Sequence, residues 1–330
     1  ATMSSMGAFN FDLVSHELAH QWFGDKVTCA SWQDIWLNES FATYLNALSY
    51  ELLFDKDTFY SEMGKVLERS KRENDKSIFV IDTTIANIFN QNLSYQKGAM
   101  VLHTLRYYIG DTAFFNGCRN YLADSNLAYG VATTSDLIRH FQALTQKDVA
   151  QFLMSHFYGK GYPSYLVRWS QTGVELKFEV TQATNNSATS FFHQTIPVHV
   201  VTDTGVLILK LEMDQKSKSF SKIVSPKISE IGFNRNNEIL AAGTVAEIDK
   251  PETDLILVFP NPSDGNLTIK SNKSPLTRVL LYSNKGEKII EYSNLSQYTL
   301  ALSLEQISSG NYILLIETEG GKYVKRYEKI

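Results

Sequence analysis

The spacing of apolar residues changes once along this chain, and the change predicts two kinds of structure in sequence order. Over residues 9–158, apolar side chains recur every three to four positions, as in Phe41–Tyr50 and Gly98–Leu105, which is typical of amphipathic helices. The pattern breaks at residues 159–163, where Gly159, Gly161 and Pro163 interrupt it. Beyond that point the period is two, so the sequence predicts a helical part followed by β-structure.

A polar stretch divides the predicted β-structure. Strand-like runs at Glu175–Val180, Ile196–Val201 and Val206–Leu211 predict a β-sandwich after the helical part. The stretch 247–254 is polar and predicts a linker, and the segment after it alternates again between turns rich in Gly, Asn and Pro. We therefore predict a multidomain chain with a mainly helical domain at 1–158, a β-sandwich at 159–246, a linker at 247–254 and a small all-β domain at 255–330.

Composition excludes several classes of protein. The chain of 330 residues has 31 Lys and Arg against 35 Asp and Glu, so we do not expect a basic surface for nucleic acid. No apolar run approaches the roughly 18 residues that a transmembrane helix needs. Cys29 and Cys118 are the only cysteines, so the fold is not a disulfide scaffold, and whether the two pair stays open.

The chain begins at Ala1 without an initiator methionine and without an apolar signal segment. We therefore expect the helical domain to be truncated at its N-terminus and the signal peptide to be absent from this sequence.

The strongest chemical signal is the segment His16-Glu17-Leu18-Ala19-His20. Residues four apart lie on one face of a helix about 5–6 Å apart, so the two imidazoles can bind one metal ion. Glu17 then lies beside the open position of the ion, where a base for bound water is needed. The alternative is an amphipathic helix that carries two histidines by chance.

Glu39 completes a possible ligand set. It follows His20 by nineteen residues and lies between Leu37 and Phe41, which would bury it, and a buried carboxylate needs partners. Two histidines and one glutamate with a position left to water are the ligands of a catalytic rather than a structural zinc site. We expect the remaining five histidines to be structural. They are His103, His140, His156, His193 and His199.

The run His16–Thr28, followed by Trp36-Leu37-Asn38-Glu39, closely resembles the gluzincin aminopeptidases, the family of aminopeptidase N and leukotriene-A hydrolase. The resemblance covers about residues 1–246 and implies a thermolysin-like helical catalytic domain that binds one Zn²⁺. It implies the zinc ligands His16, His20 and Glu39, with Glu17 as general base.

The same resemblance points to Tyr95. Tyr95-Gln96-Lys97-Gly98 matches the Tyr-x-Lys-Gly motif of the family, whose tyrosine hydroxyl stabilises the oxyanion of the tetrahedral intermediate. Together these residues imply a secreted zinc-dependent aminopeptidase that hydrolyses N-terminal residues from peptides.

Two departures from the family keep other functions open. Residues 1–15 contain no match to the Gly-x-Met-Glu-Asn motif, whose glutamate binds the amino group of the substrate. Ser40 stands where the family usually has glycine, a small change that leaves the ligands in place. The alternatives are a zinc endopeptidase, another zinc hydrolase, or an inactive binding module at the cell surface.

Residues 255–330 resemble a second family, the C-terminal sorting domains of the type IX secretion system of Bacteroidetes. The matching segments are Val258–Ile269, Leu281–Gly286, Ser309–Ile313 and the basic end Lys325–Ile330. The resemblance implies the type IX machinery as a partner and a secreted or cell-surface location. An accessory β-module that binds carbohydrate or protein is the alternative.

Overall fold

The computed structural model describes residues 9–248 and 255–330, so most of the predicted linker lies outside the described residues. Within these ranges the chain forms mostly helices first and strands afterwards, which confirms the order that the change of period predicts. The thermolysin-like character of the helical part stays a prediction, as do the domain boundaries.

The helical elements all lie in the first half of the chain. The α-helices are α1 (Phe11–Ala19), α2 (Trp36–Leu53), α3 (Lys56–Ser70), α4 (Ile85–Ile88), α5 (Gly98–Ile109), α6 (Asp111–Ala123), α7 (Thr134–Gln142) and α8 (Val149–His156). A 3₁₀-helix covers Trp32–Asp34, and a π-helix covers Gln91–Lys97 and continues directly into α5.

The strands follow, apart from a short pair within the helical part. They are β1 (Val27–Cys29), β2 (Gly130–Ala132), β3 (Pro163–Thr172), β4 (Glu175–Thr184), β5 (Gln194–Thr202), β6 (Gly205–Met213), β7 (Ser217–Ile223), β8 (Ile228–Phe233), β9 (Ala242–Glu247), β10 (Ile256–Phe259), β11 (Asn266–Ser271), β12 (Leu276–Ser283), β13 (Lys288–Tyr292), β14 (Thr299–Ser303), β15 (Gly310–Thr318) and β16 (Gly321–Lys329).

Helix α2 lies at the centre of the helical part, where it packs against α1, α3, α5 and the π-helix. Its side chains are apolar on most sides, with Trp36, Phe41 and Tyr44 fully buried. A helix that is hydrophobic over most of its circumference is stable only inside a core, so the other helices surround it. The short parallel pair β1–β2, which the sequence did not predict, covers one end of this core.

A buried polar network holds the start of α2. The Trp36 indole N–H donates to the Thr134 hydroxyl (2.8 Å), and that hydroxyl donates to the Asp34 carboxylate (2.6 Å). Thr134 begins α7, whose start is held by a capping box of Thr133 and Asp136. The network therefore ties the first turn of α2 to a helix that lies about 100 residues later in the sequence.

Two sheets pack face to face after Pro163. One has the strand order β7-β4-β3-β9 and the other β6-β5-β8, with a shared apolar core between them. Strand β4 alternates buried and half-exposed or exposed residues from Glu175 to Gln182, which confirms the predicted period of two. Strand β9 pairs in parallel with β3 and forms one edge of its sheet.

The last part is a second, smaller sandwich. Its sheets have the orders β10-β11-β14 and β13-β12-β15-β16, and its own apolar core lies between them. The end of β16 is anchored, because the Lys329 ammonium donates to the carbonyl oxygens of Glu305 (2.9 Å) and Ile307 (2.6 Å). This agrees with the all-β segment expected for residues 255–330.

Within residues 9–248 and 255–330, no helix combines the length and the apolar character that crossing a membrane requires. Cys29 is buried and Cys118 is partly buried, and both are free thiols.

We expect Thr134→Val to lower the free energy of unfolding by about 1–3 kcal/mol, because it leaves the Asp34 carboxylate and the Trp36 N–H in the core without their shared partner. Urea denaturation followed by tryptophan fluorescence measures the change. Ser135→Ala, one residue along at an exposed position, is the matched control and should change stability by less than about 0.5 kcal/mol. Equal midpoints for the two variants would contradict the structural role of the network.

Candidate metal centre

Helix α1 presents the two histidines of the motif. Its start is capped by Asn10, whose side chain accepts a hydrogen bond from the backbone N–H of Leu13 (2.9 Å). His16 lies in the last turn and His20 is the C-cap residue. Their Nε2 atoms lie 3.2 Å apart, as expected for side chains one helical turn apart that face the same point.

Glu39 approaches the same point from the first turn of α2. Its Oε2 atom lies 3.5 Å from His16 Nε2 and 3.4 Å from His20 Nε2. The residue is only 9% exposed, in agreement with the burial expected from its apolar neighbours. Among the described residues, these three side chains form the single group of three or more His, Cys, Asp or Glu that can converge on one ion.

The geometry of this group fits a tetrahedral zinc ion. Bonds of about 2.0–2.2 Å in a tetrahedron separate the donor atoms by roughly 3.3–3.6 Å. The three donor–donor distances, 3.2, 3.5 and 3.4 Å, agree with that spacing. A fourth position remains for water, as in catalytic zinc sites.

The tautomer of His20 also fits. His20 Nδ1–H donates to the carbonyl oxygen of Phe23 (3.0 Å), and a carbonyl can only accept a hydrogen bond. The Nδ1 atom therefore carries a proton, and Nε2 is the ring nitrogen that faces the two other ligand atoms. A hydrogen bond of this kind orients the ring and strengthens the ligand.

A pair of stacked rings brings α1 and α2 together at this point. Phe23, which follows α1, stacks on Phe41 of α2 with ring centroids 4.0 Å apart and an angle of 2° between the planes. Gly24 then turns the chain away with φ of +142°, and a Cβ there would lie 3.2 Å from the Nδ1 atom of His20. The turn that supplies the carbonyl partner of His20 is thus set by core packing.

The ligands affect each other's protonation. Burial, the largest single effect, raises the pKa of Glu39, but the hydrogen bonds with His16 and His20 and the positive charge of these rings together lower that pKa to about 2. For His20, burial lowers the pKa, but the hydrogen bond and the negative charge of Glu39 raise it above its ordinary value. The Glu39 carboxylate is therefore ionised in the assembled site, and its negative charge stabilises positive charge between the three side chains.

Tyr95 and Glu17 border the ligand group. The ring of Tyr95 lies parallel to that of His16, with centroids 6.0 Å apart and an interplanar angle of 20°. Burial raises the pKa of Tyr95, and the negative charges of Glu39 and Glu17 raise it further. Glu17 is half-buried on α1, and its charge also raises the pKa of His20. All five residues predicted from the sequence therefore lie in one place.

The other five histidines lie outside this group. His156 is buried and its Nε2 atom bonds Gln194 (2.9 Å), while burial lowers its pKa to about 4. His199 pairs with Glu238 in the β-sandwich (2.7 Å). The remaining three are His103, His140 and His193, and none of them belongs to the ligand group.

Sequence reasoning missed two contributors to the site. The Phe23 carbonyl orients His20, and a backbone oxygen leaves no residue-specific signal in a sequence. Ser40 donates a hydrogen bond to the turn that carries Tyr95, whereas the sequence indicated only a small change that leaves the ligands in place.

We expect the metal-free chain to bind one Zn²⁺, measured by isothermal titration calorimetry and elemental analysis, because the donor set is already assembled. His16→Ala, His20→Ala and Glu39→Ala should each abolish stoichiometric binding, since two protein ligands remain in each. His193→Ala is the matched control, a histidine outside the group, and should bind zinc as the unchanged chain does. Retained stoichiometric zinc in all three ligand variants would contradict the assignment.

Two family models match the chain. The peptidase family M1 domain matches residues 2–157, and the secretion system C-terminal sorting domain matches residues 257–328. The first range contains the whole ligand group together with Tyr95, and the second contains nearly all of the last sandwich.

Individual proteins agree with the family models. Leucyl aminopeptidase of Saccharolobus solfataricus is 28% identical over 72% of this chain and 32% of its own length. Aminopeptidase N of Lactococcus lactis is 32% identical over 46% of this chain and 19% of its own length. The chain thus spans a third or less of the curated relatives it matches.

The fold of a solved structure is also similar. Aminopeptidase A of Legionella pneumophila, crystallised with aspartic acid, aligns with 71% of this chain and 26% of its own at a TM-score of 0.59 and 19% identity. This likeness concerns the fold alone. By the two family models, residues 2–157 belong to the peptidase family M1 domain and residues 257–328 to the secretion system C-terminal sorting domain.

Proposed function

We propose that the protein carrying this chain is a secreted zinc-dependent aminopeptidase that hydrolyses N-terminal residues from peptides. The observation that carries the proposal is the convergence of His16, His20 and Glu39 within 4.8 Å, with Glu17 and Tyr95 beside them. The aminopeptidase relatives support the same substrate class.

His16, His20 and Glu39 would hold the ion. When bound there, zinc lowers the pKa of a coordinated water to about 7 and polarises the carbonyl of the substrate. Glu17, one residue after the first ligand, accepts the proton of the attacking water and delivers it to the leaving amine. Its carboxylate is close enough to the site for its negative charge to raise the pKa values of both His20 and Tyr95, which supports this role.

Tyr95 acts as a neutral donor in this scheme. Burial and the two nearby carboxylates raise its pKa, so the hydroxyl keeps its proton at neutral pH. A neutral phenol can donate a hydrogen bond to the oxygen that gains negative charge as the tetrahedral intermediate forms. The contact between the rings of Tyr95 and His16 supports this role.

An N-terminal exopeptidase must recognise the free amino group of its substrate. We therefore expect the purified protein to hydrolyse peptides with a free N-terminus and to leave their N-acetylated counterparts intact, measured by mass spectrometry of the products. Equal rates for the two forms would favour the alternative, a zinc endopeptidase.

Glu17→Gln is the control in that assay. It should keep full zinc content and lose about 10²–10⁴-fold in kcat, because it removes the base without removing a ligand. Activity at the level of the unchanged protein would contradict the role of Glu17.

We further propose that residues 255–330 direct the protein through the type IX secretion system to the cell surface or the medium. The family match to residues 257–328 and the separate core of the last sandwich support this. The helical part has its own core around α2, against which Ile330 of the tail packs, and all three proposed zinc ligands come from the helical part.

Deleting residues 255–330 in the native host should move aminopeptidase activity from the medium and cell surface to the cell interior. Activity assays on fractionated cells measure this, and activity in the cell extract shows that the truncated protein folds. Unchanged surface or secreted activity would instead favour an accessory binding module.

A further inference from the structure

Tyr95 lies in a turn of unusual geometry. The π-helix Gln91–Lys97 runs directly into α5, and single π-helical turns within helices are frequent at functional sites. At its end, the backbone N–H of Gly98 donates to the carbonyl oxygens of Leu93 and Tyr95. In an α-helix that N–H would donate to Ser94, so the Ser94 carbonyl loses its usual donor.

Ser40 supplies a donor for that carbonyl. Its hydroxyl donates to the Ser94 oxygen (2.7 Å), and the whole contact is buried. Ser40 follows Glu39 directly in α2. Two successive residues of α2 thus act at the site. Glu39 presents its carboxylate to the ligand group, and Ser40 donates a hydrogen bond to the turn that carries Tyr95.

The two backbones approach each other closely at this contact. A Cβ on Gly98 would lie 1.7 Å from the Ser40 hydroxyl oxygen and 2.7 Å from the Ser40 Cβ. Only glycine fits opposite a serine at this distance. The last residue of the Tyr95-Gln96-Lys97-Gly98 segment therefore allows Ser40 to reach the carbonyl next to Tyr95.

The opposite end of the turn is held by local contacts. The Asn90 side chain accepts hydrogen bonds from the backbone N–H groups of Asn92 (3.0 Å) and Leu93 (3.1 Å). The Ser94 hydroxyl donates to the carbonyl of Ile88 (2.8 Å). These contacts connect the turn to neighbouring residues of its own segment, whereas the Ser40 contact connects it to α2 and so to the ligand Glu39.

We propose that Ser40 is a positioning residue for Tyr95. The Ser40 hydroxyl binds the Ser94 carbonyl and thereby fixes the distance between the π-helical turn and Glu39. At that distance the Tyr95 hydroxyl meets the reacting oxygen. The catalytic consequence rests on the oxyanion role proposed for Tyr95. The mechanical part, that Ser40 fixes the turn, does not.

Hydrogen exchange of the metal-free chain tests the mechanical part. Ser40→Ala should speed exchange of the backbone amides in residues 91–98 about tenfold, because the turn loses a buried hydrogen bond. Ser155→Ala is the matched control, since it removes another buried serine hydroxyl, one that donates to the Phe152 carbonyl within α8. Unchanged exchange of residues 91–98 in Ser40→Ala would overturn the proposal.

Kinetics of the zinc-loaded protein test the catalytic part. Ser40→Ala should lower kcat about tenfold while KM and zinc content stay the same, because positioning matters most in the transition state. In a Tyr95→Phe background the same substitution should have no further effect on kcat, since the hydroxyl that it positions is gone. Additive losses would show that Ser40 acts by another route and would overturn the proposal.

A swapped pair separates packing from hydrogen bonding. Ser40→Gly combined with Gly98→Ala removes both close contacts of the new Cβ and leaves its nearest other neighbour, the Leu93 carbonyl oxygen, at 3.6 Å. This variant should fold and still show the kcat loss of Ser40→Ala. Full kcat in the swapped pair would mean that packing alone places Tyr95.

An unchanged kcat in Tyr95→Phe would overturn the oxyanion role and its consequence for Ser40, while the exchange result stands independently.

Discussion

The buried carboxylate of Glu39 is the constraint on which the helical part depends. A carboxylate that is 9% exposed in the first turn of a core helix is stable only with partners, and the two imidazoles of α1 supply them. The stack of Phe23 on Phe41 fixes the distance between the two helices at the same level. Core packing and ligand geometry are therefore set by the same few contacts.

The β-sandwich after Pro163 supports this arrangement from the other side. Its loops form hydrogen bonds with the helical part, such as Leu240 N–H to the Thr104 hydroxyl (2.8 Å) in α5 and the Asn237 amide to the Tyr60 carbonyl (3.0 Å) in α3. Helices α5 and α3 both pack against α2. These bonds attach the sandwich to two of the helices that surround the ligand group. The last sandwich has a core of its own.

Patterns that are local in the sequence predicted most of the site. Two histidines four residues apart face one point because a helix has 3.6 residues per turn, whatever surrounds it. The burial of Glu39 followed from its apolar neighbours Leu37 and Phe41. Alternation along β4 and its neighbours likewise predicted the sandwiches, because the side chains of a strand point alternately to the two faces of its sheet. The role of Tyr95 came from the family resemblance and stays a proposal.

The sequence by itself thus determined the order of helical and β-parts, the residue types of the candidate ligands and the helix that carries two of them. Only the tertiary structure decided which groups complete the site. The Ser40 hydroxyl meets the Ser94 carbonyl across 54 positions, and Trp36 meets Thr134 across 98. His20 is oriented by a backbone oxygen that any residue at position 23 would carry. The first two contacts form when distant segments pack, and the third uses a backbone oxygen that leaves no residue-specific signal, so no periodicity or spacing in the chain encodes any of the three.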